Sequence, residues 1–362
     1  MRSFVTLPAL AVLLSPPCVS LDAQTSPVPK ELAKFDDLLG TWTGSGTSSE
    51  APGEPAGEWK GTMTYKKILA GYFIQEDVKV DLAPGVHLAF RTIHGYDDTT
   101  GQYRSVGFGN TGIVTNARVF WHEKTFLGSS SKIEEGQAVV DLWKTEIKDR
   151  NSLRFSIRRS VDGGPLFEQV VGDWKRGGKA IDLARIESPA IAPVAAELAK
   201  VERQLGSWKG KGGISPLPDL PMIPIAMTQK VAAVLGGHAF MGHVVGAKSP
   251  GAPRPYEAHS YLVWSPARKR YFIAEFDNYG LATAQDGFVK GNALITTQTL
   301  VYFGVPSAVR TVTRWAADGK TVKMKAHRAS ALAEPDLYFE ASFERIGEKP
   351  GGAKKSKAPT AK

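Results

Sequence analysis

Gly40-Thr41-Trp42-Thr43-Gly44-Ser45-Gly46 returns in the second half of the chain as Gly206-Ser207-Trp208-Lys209-Gly210-Lys211-Gly212. Each run follows a short segment whose apolar residues recur at helical spacing. These are Leu32, Phe35 and Leu39 in 29–39, and Leu198, Val201 and Leu205 in 192–205. Gly40 and Gly206 stand where such a helix would stop. A glycine-rich strand with a single tryptophan, entered from a short helix, reads as the opening strand of a small antiparallel barrel. Two copies of it predict two copies of one domain.

Other anchors repeat in the same order. Leu69-Ala70-Gly71-Tyr72-Phe73-Ile74 matches Leu235-Gly236-Gly237-His238-Ala239-Phe240 at the same offset. Phe108, Asn110 and Gly112 match Phe276, Asn278 and Gly280 at an offset two positions larger. Phe167-Glu168 is set against Phe339-Glu340 near the two ends. A slowly drifting offset is what small loop insertions leave behind after a duplication.

Between the anchors the pattern is that of strands. Tyr72, Ile74, Val78, Val80 and Leu82 alternate with Phe73, Gln75, Asp77, Lys79 and Asp81, and Leu153, Phe155 and Ile157 alternate with polar neighbours. Period-2 alternation predicts one dry and one wet face. Asp97-Asp98-Thr99-Thr100-Gly101, Asp162-Gly163-Gly164 and Asp318-Gly319 are turn signals. The fold class expected is all-β, mostly antiparallel: two tandem barrels, each preceded by a short helix. The expected boundaries are a signal peptide over 1–23, a barrel over 29–177, a linker over 178–191, a second barrel over 192–346 and a disordered basic tail over 347–362.

A chain of 362 residues is long enough for each half to bury its own core. Arg2, the apolar run 4–14, Pro16-Pro17 and the small residues Ser20 and Ala23 predict a secretory leader. The expected location is therefore outside the cytoplasm, periplasmic or secreted. Cys18 is the only cysteine and lies in that leader, so neither disulfides nor thiolate chemistry are expected in the mature chain. The net charge is +9, of which the segment 347–362 supplies +4, five lysines against Glu348. That tail lacks the apolar residues to fold and suits loose contact with anionic envelope surfaces. No transmembrane segment and no specific nucleic-acid site are expected; Arg268-Lys269-Arg270-Tyr271 reads as a charged hairpin tip.

The helix followed by Gly-Thr-Trp, Gly61-Thr62-Met63-Thr64, Leu69-Ala70-Gly71-Tyr72-Phe73-Ile74-Gln75-Glu76 and Gly95-Tyr96-Asp97 together resemble a bacterial lipocalin-like family of the calycin superfamily, catalogued as a domain of unknown function. The second copy is more divergent, with Trp264-Ser265-Pro266 where the first has Tyr96-Asp97-Asp98. The resemblance implies closed or nearly closed barrels of about eight to ten strands. It also implies that Trp42 and Trp208 plug the closed ends against a basic side chain of the last strand. Lys175 or Arg176 is the candidate in the first copy and Arg345 in the second, as a cation over an indole face.

The alternation places Tyr72, Ile74, Glu76 and Val78 on one face, with Phe90 on the neighbouring strand, as lining of the first cavity; His238 and Phe240 are the candidates in the second. Glu76 is the one acid on that face, suited to a ligand amine or hydroxyl or to proton transfer; the alternatives are a place at the wet mouth or a pairing with Arg91. Gly242 replaces it in the second copy. No metal is expected: His238 and His243 are five positions apart and point to opposite faces of a strand, and no zinc motif is present. No cofactor is expected either. Haem is the alternative, since nitrobindin-like barrels bind it through a last-strand histidine, but Tyr338 and Gln169 stand near that position. The functional expectation is small apolar ligand binding inside the barrels. The alternatives are a non-catalytic module with filled barrels, or an enzyme using Glu76 as acid or base.

Overall fold

The computed structural model describes residues 27–347 apart from 84–85, 99, 135, 184–185, 187–191, 216–219, 249–253, 303–304 and 331–332. The segment expected to be a leader, most of the basic tail and part of the connecting segment lie outside the described residues. The rest forms two closed antiparallel barrels of ten strands each. In the first, the strands are β1 Gly40–Ser48, β2 Gly57–Ile68, β3 Phe73–Ala83, β4 Val86–Asp97, β5 Gln102–Gly109, β6 Val114–His122, β7 Thr125–Glu134, β8 Gln137–Asp149, β9 Ser152–Val161 and β10 Phe167–Arg176. In the second they are β11 Gly206–Ile214, β12 Ile223–Val234, β13 Ala239–Gly246, β14 Glu257–Ser265, β15 Arg270–Asp277, β16 Ala282–Lys290, β17 Ala293–Tyr302, β18 Val305–Trp315, β19 Thr321–Ser330 and β20 Ala333–Ile346. Every strand pairs with its sequence neighbours, and the first closes on the last.

One end of each barrel is plugged by the segment that precedes it. A 3-10 turn over Lys30–Phe35 buries Leu32 and Phe35 in the first barrel; the helix α1, Ala192–Ala199, buries Val194 and Leu198 in the second. Tyr103 Oη donates to the Glu31 carbonyl at 2.9 Å, and Tyr271 Oη donates to the Glu197 carbonyl at 2.7 Å, so both plugs are tied to the same strand position. The indole Nε1 of Trp42 donates to Leu38 O and that of Trp208 to Gln204 O, each at 2.8 Å. Arg176 and Arg345 each lie 4.2 Å above their indole rings. Arg176 donates to the carbonyls of Asp37, Leu39 and Arg150; Arg345 donates to those of Arg203, Leu205 and Gly319. Lys175, the other candidate, is exposed. The glycines beside the tryptophans make room for large rings: a Cβ at Gly44 would stand 2.4 Å from the Trp174 ring, and one at Gly210 2.2 Å from Phe343.

The register corrects one anchor of the repeat. Trp42 pairs with Arg176 and Ser48 with Val170, while Trp208 pairs with Arg345 and Ile214 with Phe339. Phe339 is therefore the counterpart of Val170, three positions beyond the Phe167 chosen from sequence. A bulge between Glu168 and Val170 conceals this from a residue match.

The barrels pack side by side, and the seam overturns the expected wet face of β3. Phe73, Gln75 and Asp77 are buried there, not solvated. Phe73 meets Phe276 edge-on at 5.2 Å, and Phe108 stacks on Tyr261 at 4.6 Å. Leu183 and Ile186 of the connecting segment join the same apolar cluster. Polar and apolar residues alternate on this strand, yet Phe73, Gln75 and Asp77 on its outer face are buried because that face meets the second barrel, while the other faces the lumen. Within the seam Arg91 donates to both oxygens of Asp77, at 2.7 and 2.8 Å. Gln75 donates to Asp77 at 2.8 Å, and Arg91 also reaches Met241 Sδ at 3.5 Å across the seam.

A second buried acid, Asp277, closes the turn between β15 and β16. Its Oδ1 accepts from the backbone N–H of Tyr279 and Leu281 at 2.9 and 3.0 Å. Burial outweighs those hydrogen bonds and pushes its carboxyl up to about 7. Because the folded value lies above the unfolded one of about 3.9, the native state holds the extra proton between these limits. Its contribution to stability is full below about pH 4 and is lost as pH rises toward 7.

The seam and the turn can each be tested by substitution. Arg91→Ala strands Asp77 as an unpaired buried charge and should lower the unfolding free energy by about 3–5 kcal/mol; a urea midpoint within error of the native protein would mean the seam does not form in solution. Asp277→Asn keeps the Oδ1 acceptor but cannot ionise. Its melting temperature relative to the native protein should rise between pH 4 and pH 7, and a difference independent of pH would refute the assignment.

Candidate functional site

Four polar side chains meet inside the first barrel, one from each of four adjacent strands. Tyr65 on β2 donates its hydroxyl to Glu76 Oε1 on β3 at 2.7 Å. His94 Nε2 on β4 lies 3.0 Å from Glu76 Oε2, and His94 Nδ1 lies 2.6 Å from Ser105 Oγ on β5. The register makes the cluster: Tyr65 is the direct partner of Glu76, and His94 of Ser105. Phe35 stacks on the imidazole at 5.3 Å and Phe126 meets it edge-on at 5.3 Å, so the ring is fixed by the plug and the far wall. Burial, followed by the Glu76 charge and hydrogen bond, raises the Tyr65 phenol well above its ordinary value. It therefore stays a donor.

The order of exposure sets the chemistry. The His94 side chain is 3% exposed and that of Glu76 17%, while Ser105 is buried. A serine, a histidine and a glutamate in sequence invite comparison with a hydrolase triad, but here the hydroxyl is the inaccessible end and the carboxylate faces the lumen. Two of the carboxylate's lone-pair directions are used by Tyr65 and His94, and the remainder are free to accept from a ligand.

Above Glu76 the lumen of the first barrel is partly exposed. Val78, Val80 and Leu82 on β3, Phe155, Ile157 and Arg159 on β9, and Trp143 on β8 all retain accessible surface. Their counterparts within the strands of the second barrel, Val244 and Gly246, Met324, Ala326 and Arg328, and Thr311, are buried, while Lys248, which matches Leu82, lies beyond the end of β13 and is exposed. At the upper level Arg159 makes two bonds to Asp141, 2.8 and 3.1 Å, and lies 3.4 Å from Glu134, while Lys132 contacts both acids. The rim of the first barrel is thus charged but balanced.

Glu76, Val78 and Phe90 share the lumen face, with Ile74 beneath them in the core around the plug. Arg91 pairs with Asp77 and not with Glu76. Tyr72 is a correction: it caps the 3-10 turn Leu69–Gly71 before β3 begins, so strand parity does not extend to it. Its ring lies under Arg254, which donates to its hydroxyl at 3.1 Å, in the cluster between the barrels. His238 is buried at the equivalent cap of the turn Leu235–Gly237, ahead of β13. Phe240 is buried in the core of the second barrel. Tyr338 is fully buried in that core with the Arg328 guanidinium 5.0 Å above its ring.

Tyr65, His94 and Ser105 were missed, although the signal for one was present. The alternation that selects Phe90 selects His94 four positions later on the same face. A second polar group was also missed, on the outer side of β13 and β14. His243 Nε2 lies 2.9 Å from Glu257 Oε1, and the His243 and His259 rings meet edge-on at 5.2 Å. His243 and His259 are direct cross-strand partners, a pairing that their distance along the chain hides in the sequence. Burial, followed by the charges of His243, Arg91 and Lys66, pushes His259 down to about 3.

The family described as a protein of unknown function, DUF1579, matches residues 29–176, the first barrel with its plug. No curated protein matches the chain. Among solved structures, Rv2717c of M. tuberculosis is 15% identical over 42% of this chain and 99% of its own, with a TM-score of 0.33. A protein of unknown function from the DUF3598 family of Nostoc punctiforme is 11% identical over 88% of this chain and 99% of its own, with a TM-score of 0.26. Intact Ap-TbpB, with N and C lobes, is 8% identical over 84% and 76%, with a TM-score of 0.20. None of these likenesses is close enough to carry a fold or a function.

Proposed function

We propose that the first barrel is the receptor of this protein, for a small and mainly apolar molecule bearing an amine or hydroxyl, and that the second is its filled companion. The observation that carries this reading is the contrast between equivalent positions. Glu76 faces a partly exposed lumen with Tyr65, His94 and Ser105 behind it, whereas the corresponding places in the second barrel hold Gly242, Val231, Leu262 and Ile273. Val231, Leu262 and Ile273 belong to its apolar core. An apolar, aromatic cavity with a few convergent polar groups is the usual design of a small-molecule site. Phe90, Trp143 and Phe155 supply the aromatic surface, and Glu76 supplies orientation.

On the same reading the barrels are calycins, which the plugging tryptophan under an arginine supports. The mature protein acts outside the cytoplasm after removal of 1–23. N-terminal sequencing of protein recovered from the periplasm or medium should begin after Ser20 or Ala23; an intact Met1 there would exclude the leader.

Binding is tested with long-chain alkylamine, alkanol and carboxylate probes of equal length, followed by tryptophan fluorescence and native mass spectrometry. The amine and alkanol should bind one per chain, ahead of the carboxylate. Loss of a hydrogen bond to a charged group is worth about 1.5–3 kcal/mol. Glu76→Gln should therefore weaken the amine by roughly 10- to 150-fold while leaving melting behaviour near native. Equal affinity of the variant and native protein for the amine would overturn the assignment.

A further inference from the structure

The His243–Glu257–His259 group is separate from the Glu76 lumen. It lies on the outer side of the second barrel, beside the seam. His243 and His259 are directly opposed on β13 and β14, and Glu257 precedes His259 by two positions, so all three project from the same face. One ligand atom from each lies within 4.8 Å of the others. The corresponding cross-strand pair in the first barrel is Asp77 and Arg91, which neutralise each other. Where the first barrel has a self-sufficient ion pair, the second has two imidazoles, with a carboxylate two positions away.

We propose that His243, Glu257 and His259 form an open binding site for a divalent transition-metal ion, Zn²⁺ in the first place. Two imidazoles and one carboxylate are a borderline nitrogen and oxygen set of the kind that zinc accepts, and three protein ligands leave a position for water or an outside ligand. Metal–ligand bonds of about 2.0–2.2 Å place ligand atoms roughly 3.3 Å apart in a tetrahedral site. The 2.9 Å separation of His243 and Glu257 needs only slight opening, and the 4.8 Å limit on the set asks for a modest side-chain rotation of the third ligand.

Two further observations support an ion here. His259 Nδ1 is buried without a hydrogen-bond partner among the described residues, an arrangement that costs free energy unless something binds the ring. The His243 and Glu257 side chains are 44% and 39% exposed, so an ion has a path from solvent and the open position is wet. The nearest cations do not forbid it: the Arg91 charge is taken up by Asp77 through two hydrogen bonds, and Glu257 brings its own negative charge to oppose Lys66. A bound ion would tie β13 to β14 next to the seam residues Met241 and Tyr261.

The test uses the whole mature protein, stripped with chelator and dialysed. Titration with ZnCl₂ by calorimetry should show one ion per chain at micromolar affinity or tighter. Co²⁺ in its place should give visible absorption bands that Zn²⁺ abolishes. His243→Ala and Glu257→Gln change partly exposed side chains, so the fold should stand, and each should weaken Zn²⁺ at least 10-fold. His87→Asn removes the partly exposed histidine beside Asp81 and should leave uptake unchanged. No stoichiometric uptake by the native protein would overturn the proposal, as would native affinity in both His243→Ala and Glu257→Gln. Loss of uptake in His87→Asn would do the same by moving the site elsewhere.

Discussion

A guanidinium lying on an indole, with its remaining donors spent on backbone carbonyls, is the contact on which this architecture turns. Arg176 joins the end of β10 to three carbonyls, one in the β8–β9 turn and two in the segment that leads into β1. It therefore closes the barrel and seats the plug in one step. The carbonyls it satisfies lie where the chain leaves the plug for the first strand and would otherwise need water. Because Arg345 repeats the arrangement on Trp208, both barrels are shut at the same end, and any lumen must open at the other. The depth of the Glu76 cluster follows from this. It lies just above Phe35, where the plug stops and apolar packing gives way to partly exposed lining.

The two barrels also depend on each other. In an isolated antiparallel barrel the outer face of a strand meets water, and alternating polarity marks the inside. Here β3, β4 and β5 of one copy lie against β13, β14 and β15 of the other, so Phe73 and Phe108 point outward from their own barrel and are nevertheless buried. Aromatic pairs such as Phe108 with Tyr261 are worth about 0.5–1.5 kcal/mol beyond their area. The Asp77–Arg91 pair adds direction more than net stability, since a buried ion pair roughly offsets its own desolvation. The apolar contacts hold the seam, while the ion pair joins β3 to β4 within the first barrel and leaves Arg91 against Met241 and Tyr261 of the second.

Much of this was legible in the chain. The Gly-x-Trp runs locate the first strand of each copy, Asn110 and Asn278 mark matching turns, and alternation along 72–82 places Glu76 inside. What alternation could not supply was pairing. Tyr65, His94 and Ser105 belong to three other strands and meet Glu76 only through three cross-strand registers. A one-residue slip in any of them would move a side chain to the other face. The same limit hid the approach of His243 to His259. Tyr72 failed for a different reason: it sits in a helical cap, where period 2 does not apply. Phe167 was misaligned because a bulge breaks the count.

The difference between the two lumens is also an argument about how such a site can change. Glu76, Tyr65, His94 and Ser105 satisfy one another, and a buried polar network that is only partly satisfied is less stable than an apolar core. Replacing His94 alone by leucine would leave Ser105 without its imidazole partner and remove one of the contacts to Glu76. Replacing Glu76 alone by glycine would leave Tyr65 and His94 facing each other with no acceptor between them. Intermediates between the two states are therefore costly, and the stable combinations are the complete quartet or its complete removal. The second barrel holds the latter at all four positions, as Val231, Gly242, Leu262 and Ile273. The coupling follows from hydrogen-bond accounting alone: the copies share the tryptophan–arginine plug, and neither has a half-converted interior.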